Sequence, residues 1–215
     1  MTDRIAVYSG TRNLYPHMVV AAKSLLYHHG ADTVYFLIED DTFPEPLPDC
    51  IRTINVSGQS FFLHDSPNYN TPWTYMCLMR AAYHRLFPQK RILSLDVDTI
   101  VNKNIDPLWD LDISNAYWAG VAELYPGEDE TKQNKYNIGV ALFNLHNLRD
   151  GTGDRIISLL NTQYLPYPEQ SAFNIICRNH IRQIPCEFNS MLNTVDRPPD
   201  VSARIFHATN APKEP

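Results

Sequence analysis

The sequence predicts an α/β domain with a central, mostly parallel mixed sheet flanked by helices. Two observations predict it. Short apolar runs rich in β-branched and aromatic residues alternate with segments of helical periodicity. Such alternation is the pattern of β-α-β units, whose parallel strands are buried beneath helices. The 215 residues are 44% hydrophobic and 20% charged, which suits one domain with a sizeable core.

The elements follow in order. Arg4 to Ser9 reads as a first strand, closed by the turn-rich Gly10-Thr11-Arg12-Asn13. A helix then runs from Leu14 or Pro16 to His29, with Pro16 suited to the first turn. Thr33 to Ile38 is a second strand, ending in Glu39-Asp40-Asp41, and Ile51 to Val56 a third. Gly58 to Pro72 is a polar, aromatic loop. Thr74 to Leu86 places Met76, Met79, Ala82, Tyr83 and Leu86 on one helical face. The apolar run from Arg91 to Val101 is a buried strand, and Tyr117 to Val121 another. Glu123 to Lys135 reads as an acidic mobile loop before a strand from Asn137 to Phe143. Helices are expected around Asp154 to Asn161 and Pro168 to Arg178, with a short strand at Ile181 to Ile184. The tail from Val195 is proline-rich, apart from the strand-like Ala203 to Phe206.

Composition narrows the function. A net charge of -6 disfavours a general nucleic-acid binder. No apolar run approaches a membrane span, and the first residues lack the apolar core of a signal peptide. Cys50, Cys77, Cys177 and Cys186 show no C-x-x-C spacing, so structural zinc and a dense disulfide framework are disfavoured. Reduced thiols in the cytoplasm are the expectation.

The chemistry centres on Leu95-Asp96-Val97-Asp98-Thr99. Side chains two apart on a strand share a face, so Asp96 and Asp98 are expected side by side at a strand end. Two like charges there need a cation, and a divalent ion with oxygen ligands supplies one. The apolar flanks argue against a surface turn. Downstream stand Asn137-Ile138-Gly139-Val140-Ala141-Leu142-Phe143-Asn144-Leu145, then Glu169-Gln170 with Asn174, then His207 with Lys213 six residues on.

This ordered set resembles the retaining GT-A glycosyltransferases of the glycogenin and bacterial lipooligosaccharide galactosyltransferase type. The resemblance runs from the first strand to Lys213. It implies one GT-A domain over 1–215, with a nucleotide-binding half to about 101 and a sugar and acceptor half beyond. It implies Mn²⁺-dependent transfer of a hexose from a UDP-sugar, UDP-glucose first, to a glycan acceptor, with Mg²⁺ as the alternative metal. Asp96, Asp98 and His207 would hold the metal. Lys213 and Arg80 would face the diphosphate, and Ser9, Thr11, Tyr15 and Val97 the nucleoside side. Glu123, Asn137 and Gly139 would bind sugar, and Glu169 and Gln170 would flank the reacting carbon. Thr11-Arg12 stands where some relatives carry acidic residues. Glu169-Gln170-Ser171 replaces the D-Q-D of many relatives. The chain ends soon after Lys213 without the basic tail of some relatives, so it is expected to be part of a longer polypeptide. A virus-encoded enzyme of the chlorovirus type is a further expectation, which would place it in host cytoplasm.

Two other classes compete. Asp96-Val97-Asp98-Thr99 also fits the D-x-D-x-T nucleophile motif of haloacid-dehalogenase-type phosphatases. That motif usually ends a first strand, whereas about ninety residues precede it here. Alternatively, Phe61, Phe62, Tyr69 and Trp73 could serve a non-catalytic glycan-binding module.

Overall fold

The structure is a computed structural model that describes residues 3–123, 135–192 and 200–209. The chain opens with strand β1 (Ile5–Ser9), helix α1 (Tyr15–Tyr27), β2 (Thr33–Ile38) and β3 (Ile51–Asn55). Pro16 sits in the first turn of α1. Next come α2 (Thr74–Leu78), a 3₁₀ turn (Met79–Ala82), α3 (Tyr83–Leu86), β4 (Arg91–Leu95) and β5 (Thr99–Val101). A short α4 (Asp106–Trp109) leads to β6 (Trp118–Ala122) and β7 (Tyr136–Asn144). Then follow α5 (Leu145–Leu148), α6 (Thr152–Thr162), α7 (Pro168–Ile176) and β8 (Ile181–Gln183). A 3₁₀ turn (Cys186–Phe188), β9 (Ser190–Met191) and β10 (Ile205–His207) complete the described elements.

Seven strands form the main sheet in the order β3-β2-β1-β4-β7-β6-β8. All neighbours are parallel except that β7 runs antiparallel to β4 and β6. Chain order reverses between β1 and β4, which creates the switch point where α/β sheets bind ligands. Because β7 is reversed, its N-terminal residues reach the same edge as the carboxyl ends of β4 and β6. Leu95 pairs with Val140 there, and Val121 with Asn137. A small second sheet, β5-β10-β9, sets His207 opposite Thr99.

Core strands are buried on both faces, which explains their nearly continuous apolar runs. On one face Met18, Ala21 and Leu25 of α1 cover Tyr8, Leu93 and Leu142. On the other, Tyr83, Ile156 and Phe173 cover Ile92, Ala141 and Phe143. Phe143 is enclosed by Tyr83, Trp118 and Phe173, with ring centroids 5.9, 6.3 and 5.1 Å away.

Two expectations need correction. The two aspartates do not share a strand face. β4 ends at Leu95, and Asp96-Val97-Asp98 form a turn into β5. Thr99 closes the turn by donating its amide (3.2 Å) and its hydroxyl (2.6 Å) to the Asp96 carbonyl. The turn, not the pleat, brings the carboxylates together. The single helix expected from Thr74 to Leu86 is also broken by the 3₁₀ turn. That tighter segment carries Arg80, whose side chain is buried against the sheet. The loop expected between Glu123 and Lys135 lies outside the described residues, as does most of the tail, including Lys213.

Replacing Phe143 with Ala empties the space between three rings. The expected loss is about 3–5 kcal/mol of unfolding free energy, read by denaturant titration. A loss below about 1 kcal/mol would show that the rings repack around the gap.

Candidate active site

One cavity of about 300 Å³ opens at the switch point. Its floor is the turn after β4. Asp96, Asp98 and His207 each offer a ligand atom, and these atoms lie within 4.8 Å of one another. His207 Nε2 is 3.3 Å from Asp96 Oδ2 and 3.3 Å from Asp98 Oδ1. β10 places the imidazole, and Ala208 donates its amide to the Asp98 carbonyl at 3.0 Å. The set suits a divalent ion: two carboxylates and an imidazole are donors that Mn²⁺ accepts. Gly139 leaves room for them. A Cβ there would lie 2.1 Å from His207 Cε1 and 2.6 Å from Asp96 Oδ2.

Arg80 lies behind the cluster and is buried. Its guanidinium donates to Asp96 Oδ1, to Glu169 Oε1 at 3.3 Å and to Ser94 Oγ at 3.1 Å. Burial alone would lower the Arg80 pKa, but Asp96 and Glu169 more than reverse this, so it stays charged. Burial would raise the Asp96 pKa, but Arg80 and the His207 hydrogen bond hold it well below the usual carboxylate range. For Glu169 burial wins, and its pKa rises despite Arg80. His207 is pulled two ways. Burial favours the neutral ring, but hydrogen bonds and charges from Asp96 and Asp98 raise its pKa to about 9. Without metal the ring is therefore protonated at neutral pH and serves as the cation between the carboxylates.

The far wall holds a polar frame. Glu123, just beyond β6, accepts from Asn137 Nδ2 at 2.8 Å and from Gln170 Nε2 at 3.2 Å. Gln170 Oε1 accepts the Ile138 amide at 3.2 Å, and Asn137 Oδ1 accepts the Gly139 amide at 2.9 Å. Glu169 and Gln170 stand in the first turn of α7. Ser9 and Thr11 line the cavity at the end of β1, and Val97 lines it between the aspartates. Trp73 and Tyr167, both exposed, also line it, with ring centroids 6.0 Å apart.

The cavity thus gathers Ser9, Thr11, Arg80, Asp96, Val97, Asp98, Glu123, Asn137, Gly139, Glu169, Gln170 and His207. Tyr15 is not brought to it. Its ring is buried against Phe43 at 4.9 Å, and its hydroxyl donates to Asp40 at 2.9 Å and accepts the Glu39 amide at 2.9 Å. Tyr15 fixes the end of β2 and cannot stack on a base in this arrangement. The aromatic loop presents less than its composition promised. Phe62 and Tyr69 are core residues, and Phe61 lies beneath Arg85. Asn189, unmarked by any sequence spacing, is buried beside His207 and Asn137.

A mixed α/β sheet with an acidic, cation-ready turn at its switch point is the arrangement of the GT-A fold. The chain belongs to glycosyl transferase family 8, whose match runs over residues 5–209. A Haemophilus influenzae protein named provisionally as a glycosyltransferase is 28% identical over 205 residues, covering 85% of this chain and 62% of its own. The apo bifunctional glycosyltransferase WbbM superposes with a TM-score of 0.77 at 14% identity, over 98% of this chain and 46% of that one. The galactosyltransferase LgtC, solved with donor and acceptor sugar analogues, gives 0.67 at 18% identity, over 94% and 86%. These two share the fold. The chain therefore spans less than two thirds of its curated relative and under half of WbbM. Family membership sets the phosphatase reading aside, and so does topology, since the motif follows the fourth strand rather than the first.

The raised His207 pKa gives metal-free stability a definite pH dependence. The ring's folded value, about 9, exceeds its ordinary 6.5, so its contribution is complete below about 6.5 and lost as pH rises through 9. In chelator, the melting temperature should fall more steeply between pH 7 and 9.5 for the native protein than for His207→Asn. Parallel slopes would sink the assignment of this charge to His207.

Proposed function

We propose that this chain is a metal-dependent, retaining hexosyltransferase. It moves a sugar from a UDP-sugar, UDP-glucose first, to a glycan or protein-linked glycan. The observation that carries this reading is the Asp96–Asp98–His207 cluster on the floor of a cavity whose opposite wall is a hydrogen-bonding frame. Asp96, Asp98 and His207 would hold Mn²⁺, with Mg²⁺ as the alternative. When bound, the ion would neutralise the departing diphosphate.

The chain's own residues divide the remaining work. Arg80 fixes Asp96 and Glu169 and adds positive potential beneath the diphosphate. Lys213, outside the described residues, keeps the diphosphate contact that the family resemblance implies. Ser9, Thr11 and Val97 would face the uridine. Glu123, Asn137 and Gln170 would bind sugar hydroxyls. Glu123 already accepts from Asn137 and Gln170, and Glu169 is paired with Arg80. These engagements favour orientation over nucleophilic attack, which supports acceptor entry on the face the diphosphate leaves. The product anomer then matches the donor. Trp73 and Tyr167 at the mouth offer apolar ring faces to an acceptor pyranose.

Asp98→Ala should abolish Mn²⁺-dependent UDP binding with the fold retained. Calorimetry with Mn²⁺ and with chelator tests this, and equal UDP affinity of the native protein in both would overturn the metal reading. NMR of the product from UDP-glucose reads the anomer, and inversion would overturn retention.

Trp73→Ala should raise the acceptor KM roughly 3–10-fold, the scale of one lost stacking contact. UDP affinity should stay unchanged. An unaltered acceptor KM would remove Trp73 from the acceptor site.

A further inference from the structure

Asn189 sits between the Cys186–Phe188 turn and β9, and is 1% exposed. Amide side chains can be read in either orientation, so each must be fixed by a partner whose role is certain. Two backbone amides supply that certainty. The Gly139 amide donates to one side-chain atom of Asn137 at 2.9 Å, so that atom is the oxygen. The Asn137 nitrogen then faces the Glu123 carboxylate at 2.8 Å, as a donor should. The Ile138 amide fixes Gln170 in the same way, leaving its nitrogen to face Glu123.

The logic continues to Asn189. Its atom 2.8 Å from Asn137 Oδ1 must be the nitrogen, because that oxygen can only accept. Its other atom, the oxygen, lies 2.9 Å from His207 Nδ1. An amide oxygen accepts only, so Nδ1 carries the hydrogen. His207 Nε2 is left pointing between Asp96 and Asp98, 3.3 Å from an oxygen of each.

We infer that Asn189 is a positioning residue for the metal centre. It fixes His207 as the Nδ1–H tautomer and aims Nε2 at the Asp96–Asp98 pair. The inference rests on the metal reading proposed above. Outer partners of this kind hold a ligating ring in one tautomer and one orientation. Here the partner is an amide, itself locked through Asn137 to the backbone of β7. The frame that faces the sugar and the ring that faces the metal are thus one hydrogen-bonded unit.

The test uses Mn²⁺ alone, without nucleotide. Asn189→Leu keeps the approximate volume but offers no acceptor to Nδ1–H. Its Mn²⁺ affinity by calorimetry should fall about 10–100-fold, the usual cost of losing such a partner. Pulsed electron resonance of bound Mn²⁺ should show the imidazole nitrogen coupling in the native protein and a weakened coupling in Asn189→Leu. Asn189→Asp retains the acceptor for Nδ1–H but gives up the donor to Asn137 Oδ1, and should restore the nitrogen coupling and part of the affinity. A merely structural role would lower the melting temperature of both variants in chelator yet leave the nitrogen coupling of bound metal intact. If Asn189→Leu fails to fold, Asn189→Ala carries the same expectation. Native affinity and full nitrogen coupling in the apolar variant would overturn the role of Asn189 and leave the metal reading standing. A native protein that binds no Mn²⁺ would overturn both.

Discussion

Charge crowding at the end of β4 is the constraint on which the site depends. Asp96, Asp98 and Glu169 converge on one small region, and among the described residues the Arg80 guanidinium and the His207 ring answer them. Buried carboxylates are costly unless each finds a partner. Arg80, itself buried in the 3₁₀ turn, meets that demand for Asp96 and Glu169 at once. His207 meets the rest. Without metal, the protonated ring is the cation between Asp96 and Asp98, the place a divalent ion would take. Gly139 completes the arrangement by having no side chain to contest the space.

Much of this was legible in the sequence, and the misses have physical causes. The buried strands announced themselves by unbroken apolar runs, because both faces of the sheet are covered. β1, β2 and the strand through Ile138–Phe143 fall where those runs predict. The D-V-D segment did not fit the same rule. Its apolar flanks, Leu95 and Ile100, belong to two different strands in two different sheets, so local periodicity read a turn as a continuous strand. Tyr15 misled for a related reason. Its position after β1 placed it near the cavity, but whether its ring faces a ligand or Phe43 depends on a loop from after β2. Asn189 could not have been read at all. Its partners, Asn137 and His207, lie on separate strands, and no fixed spacing links the three.

The reversed strand β7 explains how so many segments reach one cavity. In a sheet of parallel strands only the carboxyl ends face the ligand. Turning one strand around brings an amino end into that row, and with it a run of free-standing amides. Gly139 and Ile138 use theirs to hold Asn137 and Gln170. The frame is therefore anchored to main chain within the sheet.

The pairing of β10 with β5 also imposes a timetable. The ribosome delivers Arg80 and Asp96 close together, but His207 arrives much later. At 5–20 residues per second the delay is on the order of ten seconds. During that interval Asp98 has no imidazole beside it. Assembly of the cluster therefore waits for β10. A nascent chain stalled before residue 207 would carry the Asp96–Asp98 turn without the imidazole that faces it.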